Sequence, residues 1–172
     1  MQFNGEIPEI PCIKVDNFTN LTDQIHYGFI SHAHSDHLSG LANNLGDVEI
    51  YCTEITKRLI SSLEKPEYSK NIEKLRPCPM NQELSLDRGK IRVTFIPVYH
   101  CLGSAMILFE TTTKSVLFTG DARFDMPTIS ALKMNQRIMK YIARHRMLRC
   151  YVSWYDFCIQ NSKYWYSRQI HR

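Results

Sequence analysis

The stretch Ser31-His32-Ala33-His34-Ser35-Asp36-His37 places three imidazoles and a carboxylate within six positions, directly after an apolar run with the pattern of a strand. Neutral imidazole and carboxylate are ligands that suit zinc. Alternation along an extended segment directs His32 and His34 to the same side, and we expect the chain to turn at Asp36 and His37. One loop could therefore serve two neighbouring metal ions, as in a two-metal hydrolase.

Two less specific interpretations of this stretch are a chance cluster in a solvated turn and a single structural zinc. Structural zinc sites usually close their coordination shell with cysteines in close pairs. The six cysteines of this chain form no C-x-x-C pair. The composition therefore favours a catalytic site.

Two further candidate ligands follow predicted strands elsewhere in the chain. His100 comes after the alternating run Ile91–Ile96 and precedes a tight turn at Gly103, and Asp121 comes after the run Ser115–Thr119. A histidine after a strand is often an ordinary surface or core residue, and a Gly-Asp pair is often only a turn. The shared placement at strand ends nevertheless predicts that both join the cluster, with Asp121 able to bridge two metals.

The order of these groups along the chain resembles the first four motifs of the metallo-β-lactamase fold. Those motifs correspond here to Asp16, then His32 to His37, then His100, then Asp121. Within this fold, Tyr99–Ser104 and Gly120–Phe124 are similar to the DNA-processing branch of the β-CASP nucleases, and Phe3–Phe18 and Lys65–Tyr68 look most like its Artemis subfamily. The resemblance implies a mixed α/β fold, an αββα sandwich of which this chain carries the N-terminal half.

The resemblance also implies a role for each candidate residue. His32, His34 and His100 would hold a first zinc ion, Asp36 and His37 would hold a second, Asp121 would bridge them, and Asp16 would orient a ligand. Asp36 and Asp121 are the residues expected to be catalytic, Asp36 as a proton acceptor. The cofactor expected is therefore one or two Zn²⁺ ions.

The activity implied is that of a zinc-dependent DNA nuclease, acting as a 5′–3′ exonuclease or as an endonuclease that opens hairpins and overhangs. Such an enzyme would act in the nucleus on damaged DNA, in double-strand break repair by end joining and in crosslink repair, with a repair kinase or ligase as a candidate partner. One alternative is another hydrolase of this fold acting on RNA, an ester or a thioester, against which the Cys101–Ser104 turn and Arg123-Phe124 argue. The other is an inactive fragment that binds only metal or partners.

The chain departs from the nuclease pattern at three positions. Leu102 stands where these nucleases usually have proline, and Ala122 where they usually have phenylalanine. Neither side chain donates to a metal, so both changes are compatible with the site. The third departure is Trp154, which occupies an acidic position of the family and leaves Asp156 displaced by two residues. That change favours the inactive alternative.

The length of 172 residues matches only the first half of the metallo-β-lactamase domain by resemblance. The inserted β-CASP domain, the returning half of the sheet and a later histidine ligand are expected to be missing. Half a sandwich would expose an apolar face and an unpaired strand edge, both of which favour aggregation. We therefore expect a fragment of marginal stability or an incomplete gene product.

Charge divides the chain near Asp125. Residues 1–125 carry 12 Lys and Arg against 16 Asp and Glu, whereas residues 126–172 carry 9 against 1. We predict a partial metallo-β-lactamase domain at 1–125 and a basic, aromatic tail at 126–172. The tail is either a surface that stacks on bases and contacts phosphates or an altered end unrelated to the fold.

Nothing in the sequence indicates export or membrane insertion. The first fourteen residues contain prolines and acids rather than a basic start and an apolar core, and no apolar run is long enough to span a bilayer. Cysteines without a pairing pattern fit a reducing compartment. The sequence therefore predicts an intracellular protein with no membrane partner.

Overall fold

The computed structural model describes residues 3–63, 65–143 and 148–151, which form two β-sheets and a few short helices. The strands are β1 Ile13–Val15, β2 Tyr27–Phe29, β3 Glu49–Thr53, β4 Leu75–Cys78, β5 Glu83–Leu86, β6 Ile91–Pro97, β7 Ala105–Glu110, β8 Ser115–Phe118 and β9 Arg149–Tyr151. The α-helices are α1 Glu54–Ser62, α2 Ser69–Ile72, α3 Met126–Met134 and α4 Gln136–Ala143. Short 3₁₀ helices cover Ser35–Leu38, Pro66–Tyr68 and Asp87–Gly89.

The two sheets have different topologies. The first has the order β1-β2-β3-β4, and all its described pairs are parallel. The second has the order β5-β6-β7-β8-β9, antiparallel up to β8, with β9 parallel to β8. Parallel neighbours need a crossover, and α1 and α2 supply one between β3 and β4.

The main core lies between the sheets because alternate residues of facing strands point inward. From β7, Ile107 and Phe109 point toward the first sheet, where Phe29 and Tyr51 meet them. The rings of Phe29 and Phe109 make an edge-to-face contact with centroids 4.9 Å apart. Each such side chain contributes about 1.5–3 kcal/mol when fully buried, so this layer is a principal source of stability.

Helices cover the outer face of each sheet. Ile60 of α1 packs over Ile50 on the first sheet. Ile138 and Tyr141 of α4 pack over the second sheet, against a group that includes Met106. The layers therefore run helix, sheet, sheet, helix, which confirms the predicted α/β class and αββα arrangement.

The bare apolar face that the sequence led us to expect is not found in the part of the chain that the structure describes. The reason is that α3 and α4, which belong to the predicted tail, supply the covering layer, and β9 extends the second sheet. The described sheets do end in edge strands, as expected. The domain boundary near Asp125 stays a prediction, and Trp154 and Asp156 lie outside the described residues. No helix among the described residues is long and apolar enough to cross a membrane.

Candidate metal centre

The candidate ligands gather at one edge of the sandwich, where strands from both sheets end. One loop follows β2, the second joins β6 to β7, and the third follows β8. The backbone N–H of Ala105, at the start of β7, donates to the carbonyl of Ser31 at 3.0 Å. This bond fastens the two sheets together at the edge that carries the cluster.

Three imidazoles converge on one point at this edge. His32 Nε2 lies 3.0 Å from His34 Nδ1, and His100 Nε2 lies 3.2 Å from the first and 3.1 Å from the second. Ligands bound tetrahedrally to zinc at about 2.0–2.1 Å are separated by about 3.3–3.4 Å. Unprotonated ring nitrogens are acceptors that repel one another at such distances. The three nitrogens therefore fit a shared cation.

Asp121 faces these imidazoles and a fourth one. Its Oδ2 lies 3.2 Å from His37 Nε2, 3.7 Å from His100 Nε2 and 3.8 Å from His32 Nε2. The Oδ2 of Asp36, whose side chain is 67% exposed, lies 3.5 Å from His37 Nε2. Asp121 is thus shared by two groups of possible ligands, His32, His34, His100 and Asp121 on one side and Asp36, His37 and Asp121 on the other.

Asp16 lies behind the cluster and is buried. Its Oδ2 accepts a hydrogen bond from His37 Nδ1 at 2.7 Å, and its Oδ1 accepts one from the backbone N–H of Ser31 at 2.7 Å. The first bond turns His37 Nε2 outward, toward Asp121. Asp16 has a φ of 57°, in the left-handed region that aspartate tolerates better than most residues.

The electrostatics keep two of the imidazoles neutral. Burial, together with the neighbouring imidazoles, lowers the pKa of His32 to about 2. Burial is also the main cause that lowers the pKa of His100. Burial acts to lower the pKa of His37 as well, but the hydrogen bond and charge of Asp16 outweigh it and raise that pKa. Neutral imidazole is the form that coordinates a metal.

The turn that carries His100 is held by the start of α1. The carbonyl of Gly103 accepts hydrogen bonds from Thr53 Oγ1 at 2.9 Å and Thr56 Oγ1 at 3.2 Å. Gly103 has a φ of +84°, and a Cβ there would lie 2.9 Å from Ile55 Cγ2. Glycine is therefore required both for the turn and for the close approach of the helix.

The structure places two of the departures from the nuclease pattern away from the ligand atoms. Leu102 is 68% exposed. Ala122 is partly buried and packs with the apolar group formed by Met106 and, from α4, Ile138 and Tyr141. Neither residue belongs to the three groups that could hold a metal among the described residues.

Sequence reasoning overlooked Ser31, a buried residue that contacts both Asp16 and His32. The available signal was its position, as a hydroxyl residue at the end of a strand and directly before the first histidine. It also overlooked the relation of Gly120 to this serine. A Cβ at Gly120 would lie 3.1 Å from Ser31 Oγ.

An αββα sandwich with imidazoles and carboxylates converging at one edge defines the metallo-β-lactamase class of fold. The chain belongs to the beta-lactamase superfamily domain family, whose model matches residues 16–148.

Among curated proteins, the chain is 31% identical to Protein artemis of Rattus norvegicus over 77% of this chain and 21% of that protein. It is 35% identical to Protein artemis of Homo sapiens over 70% of this chain and 20% of that protein. It is also 35% identical to 5′ exonuclease Apollo of Gallus gallus over 56% of this chain and 20% of that protein.

These matches confirm the resemblance to Artemis, and the chain spans about a fifth of the length of the Artemis proteins it matches. The chain also aligns with the crystal structure of a protein of unknown function from Enterococcus faecalis V583. That alignment has a TM-score of 0.47 and 27% identity, covering 61% of this chain and 27% of the other.

Proposed function

We propose that this chain carries the metal-binding part of a zinc-dependent DNA nuclease of the Artemis type. The observation that supports the proposal best is the convergence of His32, His34 and His100 on one point faced by Asp121. Relatives named Artemis, 5′ exonuclease Apollo and DNA cross-link repair 1A protein point to DNA as the substrate.

Each described ligand group fits a particular position in such a site. His32, His34 and His100 would hold a first zinc ion and Asp36 and His37 a second, with Asp121 between them. All of these donors are nitrogen or oxygen atoms that zinc accepts. Bound zinc supplies Lewis acidity, which polarises a phosphodiester and makes water a better nucleophile.

The residues of the chain itself would divide the remaining work. Asp36 is exposed beside His37 and would accept a proton from an attacking water. Arg123 is exposed two residues after Asp121, and its positive charge acts on His100. A cation at that position would attract the phosphate backbone of DNA toward the cluster.

The finer features of the proposal rest on the resemblance of the sequence motifs to the DNA-processing nucleases rather than on the geometry of the site. They comprise cutting at 5′ ends, hairpins or overhangs, end joining and crosslink repair in the nucleus, membership of the β-CASP branch, and a repair kinase or ligase as partner. The name DNA cross-link repair 1A protein supports the repair context.

The test measures zinc content by mass spectrometry and nuclease activity on the same samples of the wild type, His34→Ala and His26→Ala. His26 is an exposed histidine outside the three ligand groups, so its replacement is a matched control. We expect zinc and cutting of 5′-phosphorylated or hairpin DNA in the wild type and in His26→Ala, and loss of both in His34→Ala.

Other outcomes would contradict the proposal. Zinc without cutting of DNA, RNA or a thioester would make the chain a metal-binding module. Cutting of RNA or a thioester in place of DNA would indicate a different hydrolase of the same fold. Absence of zinc from the wild type would remove the basis of the proposed chemistry.

A further inference from the structure

We infer that Ser31 is a positioning residue that fixes the ring of His32 with its Nε2 lone pair directed at the metal centre. This inference rests on the proposed function in one respect, that a metal ion occupies the cluster. It concerns a residue that is neither a candidate ligand nor exposed to substrate, since Ser31 is 1% exposed.

The hydroxyl of Ser31 has two partners and a single proton. Its Oγ lies 2.5 Å from Asp16 Oδ2 and 2.9 Å from His32 Nδ1. Asp16 Oδ2 also accepts a hydrogen bond from His37 Nδ1, and its Oδ1 accepts one from the backbone N–H of Ser31, so this side chain acts as an acceptor and Ser31 donates its proton to it. Ser31 Oγ can then only accept a hydrogen bond from His32, which requires the proton of His32 to be on Nδ1.

The position of this proton decides what His32 offers to the cluster. With Nδ1 protonated, the lone pair of His32 is on Nε2, the atom that lies 3.0 Å from His34 Nδ1 and 3.2 Å from His100 Nε2. Metal-ligating histidines usually have the tautomer fixed by a hydrogen bond to the other ring nitrogen. Ser31 would supply that bond here.

Through Ser31, one carboxylate orients a histidine in each of the two ligand groups. Asp16 accepts directly from His37 Nδ1 at 2.7 Å and reaches His32 through the serine hydroxyl. The two histidines thereby present Nε2 to the same region. Loss of Ser31 would affect His32 and leave the bond from Asp16 to His37 intact.

The surroundings of Ser31 hold its hydroxyl in place. Its backbone N–H donates to Asp16 Oδ1 at 2.7 Å, and its carbonyl accepts from the N–H of Ala105 at 3.0 Å. Gly120 lies against the side chain, where a Cβ would be 3.1 Å from Ser31 Oγ and 3.2 Å from Ser31 Cβ. Glycine at 120 therefore leaves the space in which this hydroxyl sits.

The experiment compares the wild type with Ser31→Ala, Ser31→Thr and Ser115→Ala. Ser115 is a matched control because its Oγ is also hydrogen-bonded, but to the hydroxyl of Tyr141 on α4. Nitrogen NMR of the histidine rings in metal-free protein reports the tautomer of His32, and competition with a chelator reports the zinc affinity.

We expect His32 of the wild type to carry its proton on Nδ1 and to become a mixture of tautomers in Ser31→Ala. Zinc affinity should fall about 10- to 100-fold in Ser31→Ala, as is typical when a partner of a metal ligand is lost. Ser31→Thr keeps the hydroxyl and should restore most of the affinity. Ser115→Ala should bind zinc like the wild type.

Three results would overturn the inference. The first is a wild-type His32 protonated on Nε2, which can be observed even if Ser31→Ala does not fold. The second is an unchanged tautomer and zinc affinity in Ser31→Ala. The third is an equal loss of affinity in Ser31→Ala and Ser31→Thr, which would indicate packing alone. Failure to cut DNA would count against the proposed nuclease and not against Ser31, because the tautomer is measured without metal or substrate.

Discussion

Two clusters of polar and ionisable side chains in this molecule differ in how their hydrogen-bonding groups are arranged. In the cluster at the edge of the sandwich, groups of the same kind face each other, with imidazole nitrogens 3.0–3.2 Å apart and a carboxylate beside them. The second cluster, called the Glu110 cluster, consists of Glu110, Lys140 and Tyr141, and in it donors face an acceptor. There Lys140 Nζ and the hydroxyl of Tyr141 each donate to Glu110 Oε1 at 2.6 Å.

The comparison distinguishes the Glu110 cluster, which stabilises the fold, from the histidine cluster, whose geometry fits a metal ion. Complementary donors and acceptors attract each other, so the bonds from Lys140 and Tyr141 to Glu110 Oε1 hold α4 against the second sheet, although Glu110 Oε2 is buried and has no hydrogen-bond partner among the described residues. Converging acceptors do not satisfy each other, so the histidine cluster gains most from a cation placed between them. Substitutions in the two clusters should therefore alter different quantities.

The largest effect is expected from Asp121→Ala, which removes the carboxylate shared by both ligand groups. Loss of a group that only supports a ligand costs about 10- to 100-fold in affinity, so loss of a direct ligand should weaken zinc binding by about 100-fold or more. Competition with a chelator measures the affinity. Wild-type zinc affinity in Asp121→Ala would show that this carboxylate is not a ligand.

A smaller loss of zinc affinity, about 10- to 100-fold, is expected for Asp16→Asn. Asparagine tolerates the left-handed backbone at this position, where φ is 57°. The change therefore removes the carboxyl group that orients His37 without straining the chain. The same chelator assay measures it, and a loss as large as that of Asp121→Ala would place Asp16 among the ligands.

Glu110→Gln should act on stability instead. It weakens the charge-assisted bond from Lys140 and should lower the free energy of unfolding by about 1–3 kcal/mol. Urea denaturation of metal-free protein measures this, and zinc affinity should stay at the wild-type value. A fall in zinc affinity in Glu110→Gln would show that the two clusters are coupled.

The pH dependence of stability follows from the same carboxylate. Burial acts to raise the pKa of Glu110, but the hydrogen bonds from Lys140 and Tyr141 and the charge of Lys140 outweigh it and hold the pKa below its ordinary value of 4.5. The ionised group therefore stabilises the fold above that ordinary value, and this stabilisation is lost as the pH falls through the lower pKa of the folded state.

The difference in unfolding free energy between wild type and Glu110→Gln should thus be greatest near neutral pH and should shrink in acid. Urea denaturation at a series of pH values measures it. A difference that grew in acid would reverse the assigned direction of the pKa shift.

The smallest effect is expected for Tyr141→Phe, which removes one neutral donor. The hydroxyl donates to Glu110 and lies 3.0 Å from Ser115 Oγ, and its loss should cost about 0.5–1.5 kcal/mol of unfolding free energy. Urea denaturation of Tyr141→Phe and Glu110→Gln under the same conditions compares their losses of unfolding free energy. A larger loss in Tyr141→Phe than in Glu110→Gln would mean that the Tyr141 hydroxyl, not the charge of Glu110, anchors α4.

Much of the fold near the site could be predicted from local sequence. An alternating pattern predicted β6 and an apolar run predicted β8, and the structure has these strands at Ile91–Pro97 and Ser115–Phe118. His100 and Asp121 follow these strands, as expected, and the structure brings both to the His32 loop. Short apolar runs suffice here because a buried strand shows its apolar character within a few residues.

The packing of residues beyond Asp125 could not be predicted from local sequence. The basic charge of residues 126–172 predicted a basic, aromatic tail, and that boundary stays a prediction. Within this range, α4 supplies Ile138 and Tyr141 to a buried cluster and β9 pairs with β8. The charged residues of α4 obscured its apolar face, because a helix needs only one apolar stripe to pack. Whether a strand such as β9 joins a sheet also depends on partners distant in the chain.

The sequence by itself determined the chemical identity and order of the candidate ligands, because each follows a strand whose pattern is local. Only the tertiary structure decided which ring nitrogen each histidine presents, since that depends on partners such as Asp16 for His37, 21 residues away. It also decided that Ser31 lies between a carboxylate and an imidazole and that Gly120 leaves space for it. Hydrogen-bond direction and close approach arise when distant segments pack, and no local period encodes them.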